Sequence, residues 1–168
     1  MSEYTTTTDR AVQIRAAYKT KGWSSRDISV RAEYYSMGSS LHVRIKNPAV
    51  PLAVVEAIAN EHESISRDQF GDILSGGNTY VHVGYSSEAS AALAARVLPA
   101  LQAAEVELMQ ADDNSLIPVA GTPFKLGFGG NHYGSRNGRS LWKDGHIQSA
   151  NSIEYLATTA AIQMQGGR

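Results

Sequence analysis

The side chains able to do acid–base or metal chemistry are spaced in ways that fit few reactions. Five histidines, His42, His62, His82, His132 and His146, include no pair at the i,i+4 spacing of a zinc-protease helix. Cysteine is absent, which excludes disulfides, cysteine-ligated zinc, iron–sulfur clusters and thiol catalysis. The run Gly127-Phe128-Gly129-Gly130-Asn131-His132-Tyr133-Gly134 has the composition of a phosphate loop without its pattern. His132 stands where a dinucleotide motif requires a third glycine, and no Gly-Lys-Ser/Thr follows. These glycines are expected to serve tight turns and close backbone packing. No Gly-x-Ser-x-Gly elbow occurs. Asp112-Asp113, and Asp68 with Asp72, lie in polar stretches where solvated loop acids are the simpler reading than an acid–base pair. With no catalytic motif, the expectation is a non-enzymatic protein using no cofactor and no metal.

Binding chemistry is better represented, on two surfaces. Arg31, Glu33, Tyr35, His42, Arg44, Lys46, Tyr80 and His82 alternate with apolar residues, which puts them on one open face of a sheet. Cations interleaved with rings suit a single strand, because cations meet phosphates and rings stack on bases. Cross-strand packing of tyrosine and arginine on a solvated face has the same composition, and Glu33 interrupts the patch. His42 and His82 would approach each other if their strands were neighbours, with Glu33 as a third donor for a metal-dependent alternative. The second surface is a hairpin near the C-terminus. Arg136 and Arg139 flank Asn137-Gly138, with Tyr133, Trp142 and Lys143 close by. Arginine, tyrosine and tryptophan dominate interface hot spots. Trp142 and Tyr133 would equally fill the hairpin's own core, whereas two arginines at its tip are harder to explain by packing. The expected partner-binding residues are therefore Arg136, Arg139, Tyr133, Trp142 and Lys143, with Arg44, Lys46 and Tyr80 on the sheet face.

The elements that must position these side chains read in the order αββαβα. Residues 9–20 are helical in character, with Ala11, Ile14 and Tyr18 in one stripe and Gly22 as terminator. Ile28, Val30, Ala32 and Tyr34 alternate with polar residues, as do Leu41, Val43 and Ile45 beyond a turn at 36–39. The two runs predict an antiparallel hairpin. Pro48 and Pro51 precede a helix with Leu52, Val55, Ile58 or Ala59, and His62 on its apolar side. Residues 66–77 read as a loop and 79–85 as a third strand. Ser86 or Ser87 caps an alanine-rich helix that Pro99 interrupts. The final third is glycine-rich, with 7 of 15 glycines in 119–147. Asn137-Gly138 and Asp144-Gly145 are turn signals, so 125–147 reads as a small irregular β-meander. Asn151 and Glu154 predict a capping box for a last helix with Ile153, Leu156, Ala157, Ala160 and Met164 on one side. The expected fold is α+β: a helix-backed antiparallel sheet over 9–110, a Gly-rich meander over 119–148, and a C-terminal helix over 151–165, all in a single domain 1–168.

Composition bounds the partners. The chain has 168 residues, 42% of them hydrophobic, enough to build a core. Its 15 basic and 16 acidic side chains leave a net charge of −1, neither a basic nucleic-acid coat nor a polyanionic mimic. The balance is uneven along the chain: 9 basic against 9 acidic over 1–84, 1 against 5 over 85–118, and 5 against 2 over 119–168. A dipolar surface follows if the last two segments stay apart in space. No stretch approaches the roughly 20 apolar residues of a membrane span, so a soluble protein of the cytoplasm is expected.

A family resemblance rests on the span 11–85. The leading helix is followed by Ile28-Ser29-Val30-Arg31, by Gly38-Ser39-Ser40-Leu41-His42-Val43-Arg44-Ile45, by Val54-Val55-Glu56-Ala57-Ile58, and by Phe70-Gly71-Asp72. In this order they resemble a large polyvalent-protein-associated domain of phages and conjugative elements. The resemblance carries no catalytic motif and no site residue. It implies a mobile genetic element, whose accessory proteins protect incoming DNA or block host defence. The expected function is stoichiometric binding to a host protein or ribonucleoprotein complex, as an anti-CRISPR-like inhibitor does. The alternative partner is single-stranded nucleic acid on the open sheet face.

Overall fold

The computed structural model describes residues 5–74, 76–129 and 138–166. They form an α+β fold with four helices and two sheets among the described residues, arranged as two compact units, Met1–Ala89 and Ser90–Arg168.

In the first unit, helix α1 (Thr7–Thr20) starts at Thr6, whose hydroxyl accepts the Asp9 N–H while the Asp9 carboxylate accepts the Thr6 N–H. This capping box starts the helix two residues upstream of the expected 9–20. Gly22, at φ +83°, ends it by donating to the Lys19 carbonyl. Strands β1 (Ile28–Tyr35) and β2 (Gly38–Ile45) form the expected antiparallel hairpin, with Val30 opposite Val43 and Arg31 opposite His42. Helix α2 (Leu52–Asn60) then returns the chain, and β3 (Asn78–Tyr85) joins β2 in parallel. The sheet is therefore mixed, not wholly antiparallel. A crossover helix brings the next strand back in at the same end, the usual route to a parallel pair. The strand order is β1-β2-β3.

One face of this sheet is covered by α1 and α2. Ala11, Ile14 and Tyr18 of α1 and Leu52, Val55 and Ala59 of α2 are buried together with Ile28, Val30, Leu41, Val43 and Ile45 of the sheet, α1 packing on β1 and β2 and α2 on β3. Tyr18 is buried, and its hydroxyl donates to the Val55 carbonyl at 3.0 Å, tying the two helices together. Buried hydroxyls of Thr7, Ser39 and Thr79 bond one another at the far end of the layer, with Thr7 to Ser39 at 2.6 Å. His62 lies beyond the end of α2 and is half-buried. Desolvation, reinforced by Arg10, holds its imidazole below the usual range.

Helix α3 (Ser87–Gln110) runs through the boundary between the units and continues past Pro99, which does not interrupt it. Pro99 is exposed, so the carbonyl its ring displaces one turn back lies on a side that water reaches. In the second unit β4 (Ile117–Pro118), β5 (Lys125–Gly129), β6 (Gly138–Trp142) and β7 (His146–Ala150) form a four-stranded antiparallel meander in sequence order. Asp144 and Gly145 both take positive φ, 51° and 141°, in the β6–β7 turn that this dipeptide signals. Gly138 is not a turn residue but a ladder residue opposite Gly129. Helix α4 (Ile153–Met164) packs on β6 and β7. It is capped by Ser152, not Asn151: the Ser152 hydroxyl accepts the Tyr155 N–H and donates to Glu154. Its buried side includes Ala161, while Met164 is exposed. No helix among the described residues is long and apolar enough to cross a membrane.

Candidate functional site

The uncovered face of the β1–β2–β3 sheet is a grid set by the strand register. Across the middle row stand Arg31, His42 and His82, from β1, β2 and β3 in turn. On one side lies the row Ser29, Arg44 and Gly84; on the other lies Glu33, Ser40 and Tyr80. Period-2 alternation was sufficient to assign these residues to one face. Their order across it depends on β2 being central and β3 being parallel.

His42 and His82 do meet. Their rings stack with centroids 5.1 Å apart and planes 25° from parallel. His42 Nε2 lies 3.0 Å from a Glu33 carboxylate oxygen and 2.9 Å from the Ser40 hydroxyl. Stacking turns the two ring faces toward each other and does not aim two nitrogens at one point. Among the described residues no group of three His, Cys, Asp or Glu side chains is placed to hold a metal ion. Arg31 and Arg44 are exposed, Arg31 beside His42 in the middle row and Arg44 in the next row along β2. Gly84 leaves open space beside Arg44, since a Cβ there would meet nothing within 4 Å.

The start of α3 forms a rim to this face. Ser86, buried, anchors it twice: its N–H donates to the Ile45 carbonyl at 2.7 Å, and its hydroxyl accepts the Ala89 N–H. Glu88 is held below the usual carboxylate range, first by its own backbone N–H, then by the Ser86 hydroxyl, with Arg44 adding attraction. Face and rim bound a concavity of about 630 Å³ containing Arg31, Arg44, Lys46 and His42. Its acids are Glu33 and Glu88. Glu33 is engaged by His42 and Glu88 by the start of its own helix.

The sequence-predicted residues divide accordingly. Arg44 and Tyr80 belong to this face, Arg44 exposed and Tyr80 half-buried. Lys46 follows β2 and donates its ammonium to the Ser25 carbonyl at 2.8 Å, so its charge is drawn toward the α1–β1 loop. Arg139 is not a free cation at a hairpin tip. Its Nε donates to Glu105 at 3.0 Å, its guanidinium lies over the Phe128 ring, and only 12% of the side chain is exposed. Burial against an acid that is remote in sequence accounts for this arginine, and periodicity cannot reveal such a partner. Trp142 is half-buried in β6 opposite Lys125, and Lys143 is exposed beyond it. Tyr133 and Arg136, with Asn137, lie outside the described residues.

The glycine run has a packing explanation over its described part. Gly127 and Gly129 are ladder residues of β5. A Cβ on Gly129 would overlap the Ser140 hydroxyl, and one on Gly127 would come 2.7 Å from Leu116. Sequence reading missed the contribution of Ser86, Ser87 and Glu88 to the rim. Their signal was the helix cap, but nothing local says which sheet face a cap adjoins. No family model matches this chain, and neither a curated protein nor a solved structure does.

Proposed function

We propose that this chain is a non-enzymatic binding protein whose open sheet face takes single-stranded nucleic acid. The observation that supports this most is the stacked His42–His82 pair, His82 exposed and His42 half-buried, with exposed Arg31 in the same row of the sheet and exposed Arg44 in the next. Flat rings on a sheet offer stacking platforms for bases, and arginines in the same and the neighbouring row supply cations for the phosphates between them. Arg139, the described arginine of the competing hairpin surface, is spent on Glu105. That shifts weight from the hairpin to the sheet.

The test is fluorescence anisotropy with labelled single-stranded DNA and RNA of about 15 nucleotides, near the upper site size of small sheet-based binders. Arg31→Ala with Arg44→Ala is expected to lower affinity at least about tenfold at low salt without changing the unfolding midpoint. His82→Ala is expected to lower it at every salt concentration, since stacking is insensitive to ions. Affinity unchanged from the wild type in both variants would remove the face from the reading.

A second reading has its own observation. At the β1–β2 turn Tyr34, Tyr35 and Met37 expose 59%, 46% and 61% of their surface. The Tyr34 hydroxyl is bonded to Thr8, and the Tyr35 hydroxyl donates to the Ser39 carbonyl. Rings fixed in place yet open to solvent are suited to a protein interface. Occlusion of a host protein or ribonucleoprotein by an accessory protein of a mobile element would use this tip, in line with the resemblance over 11–85. A pull-down from host lysate, with and without nuclease, separates the readings. A protein retained after nuclease and lost in Tyr35→Ser with Met37→Ser supports occlusion. Recovery of nucleic acid alone supports the sheet face.

A further inference from the structure

A second cavity of the first unit lies away from the grid of histidines and arginines. It opens between the C-terminal half of α1, the α1–β1 loop and the outer edge of β1, and encloses about 660 Å³, within the size range of small-molecule sites. Its apolar lining is Tyr18, Trp23, Ile28 and Val30. Tyr18, Ile28 and Val30 are buried, and Trp23 is half-buried, its ring tilted 53° to that of Tyr18 at 6.0 Å. The charged lining is Arg15, Lys19 and Lys46, with no carboxylate among the eleven lining residues.

The walls are held in place by the chain itself. Trp23 N–H donates to the Tyr18 carbonyl at 3.1 Å, closing the helix end beneath the indole. Ser24 donates both its N–H and its hydroxyl to Asp27, and the Asn47 amide donates to the other Asp27 oxygen at 2.8 Å. Asp27, the carboxylate of this loop, is thus turned onto Ser24 and Asn47 and does not line the cavity. Arg15 donates to the Val30 carbonyl at 2.6 Å and Lys46 to the Ser25 carbonyl at 2.8 Å. Each keeps further N–H donors for another acceptor. An apolar floor with an aromatic wall, rimmed by cations of which Arg15 and Lys46 are held in place, is complementary to one kind of molecule.

We propose that this cavity binds a small amphipathic anion. An aromatic or branched apolar body would lie against Trp23, Tyr18 and Ile28, with a carboxylate, sulfonate or phosphate group at Arg15, Lys19 and Lys46. Burial of the body supplies affinity, and the cations select against neutral and cationic analogues. The site differs from that of the sheet-face reading, because Arg31, Arg44, His42 and His82 do not line it, although Ser29 and Lys46 border both cavities.

The test uses the full chain and two probes, 8-anilinonaphthalene-1-sulfonate and its uncharged relative N-phenyl-1-naphthylamine, followed by probe fluorescence. Saturable binding of one sulfonate per chain is expected, at least about tenfold tighter than the uncharged probe. Arg15→Gln with Lys19→Gln is expected to weaken the sulfonate about tenfold and leave the uncharged probe unchanged. Trp23→Ala is expected to weaken both, and Phe70→Ser, at an exposed ring elsewhere, neither. Circular dichroism and the unfolding midpoint confirm that each variant is folded. Equal affinity for the two probes, or sulfonate binding that survives Trp23→Ala in a folded protein, would overturn the proposal. So would loss of binding in Phe70→Ser.

Discussion

Asp27 accepts hydrogen bonds from Ser24 N–H, the Ser24 hydroxyl and the Asn47 amide. These hold its carboxyl down to about 2, with Asn47 the largest cause and Ser24 next. A carboxyl depressed in the folded state adds stability above its unfolded value near 3.8, and that stability is lost as pH falls toward about 2. The urea midpoint of the wild type should therefore drop between those two values. Asp27→Asn should start lower near neutral pH and show a flatter profile, read by circular dichroism at a series of pH values. Arg139 makes the contrasting case. It is embedded against Glu105 and Phe128, so Arg139→Ala is expected to cost about 1–3 kcal/mol of stability by leaving a part-buried carboxylate without its charged partner. Urea unfolding measures this directly. A double substitution with Arg136 would thus report on folding as much as on a partner. Neither Asn47 nor Glu105 is a sequence neighbour of the group it holds, so neither pairing was legible in the chain.

At the scale of elements, glycine and proline make opposite demands. Gly129 faces Ser140 and the Arg139 backbone so closely that a Cβ has no room. Gly129→Ala is expected to destabilise the β5–β6 pair by about 1–3 kcal/mol, as overpacking does, lowering the thermal midpoint. Pro99 sits inside a continuous 24-residue helix on its exposed side. Pro99→Ala restores an N–H donor and removes a ring clash, and is expected to raise the thermal midpoint, by up to about 3 kcal/mol in stability. The apolar stripes of α1, α2 and α4 and the alternation of β1, β2 and β3 were legible because burial on one side imposes a period. The continuation of α3 was not legible, since a proline's local cost says nothing of what the rest of a long helix gains by packing. The caps at Thr6 and Ser152 shifted helix starts by one or two residues for the same reason: several neighbouring residues could cap, and geometry chose one.

For the whole molecule, charge decides how a partner is met. A net charge of −1 gives no general attraction to nucleic acid, so any binding must come from the few cations of one face. With Arg31 and Arg44 as those cations, log affinity for a single strand should fall with log salt at a slope of about −1.4, and be nearly flat in the Arg31→Ala, Arg44→Ala variant. Anisotropy titrations across a salt series measure both slopes. The acidic segment 85–118 and the basic segment after it do not stay wholly apart, because Glu105 and Arg139 pair. That removes part of the dipole which the linear charge pattern suggested. The amino-acid order alone determined the αββαβα succession, the main apolar stripes of α1, α2 and α4 and of the first three strands, the glycine-rich meander and the absence of cysteine chemistry. Each of these follows from periodicity or residue type, which act within a few residues. Tertiary structure decided that β3 lies parallel to β2, that His42 stacks on His82, that Arg139 is spent on Glu105, and that Trp23 walls a cation-rimmed cavity. Those outcomes depend on contacts between residues far apart in the chain, whose pairing is set by which packing of the whole buries most apolar surface while leaving no polar group stranded.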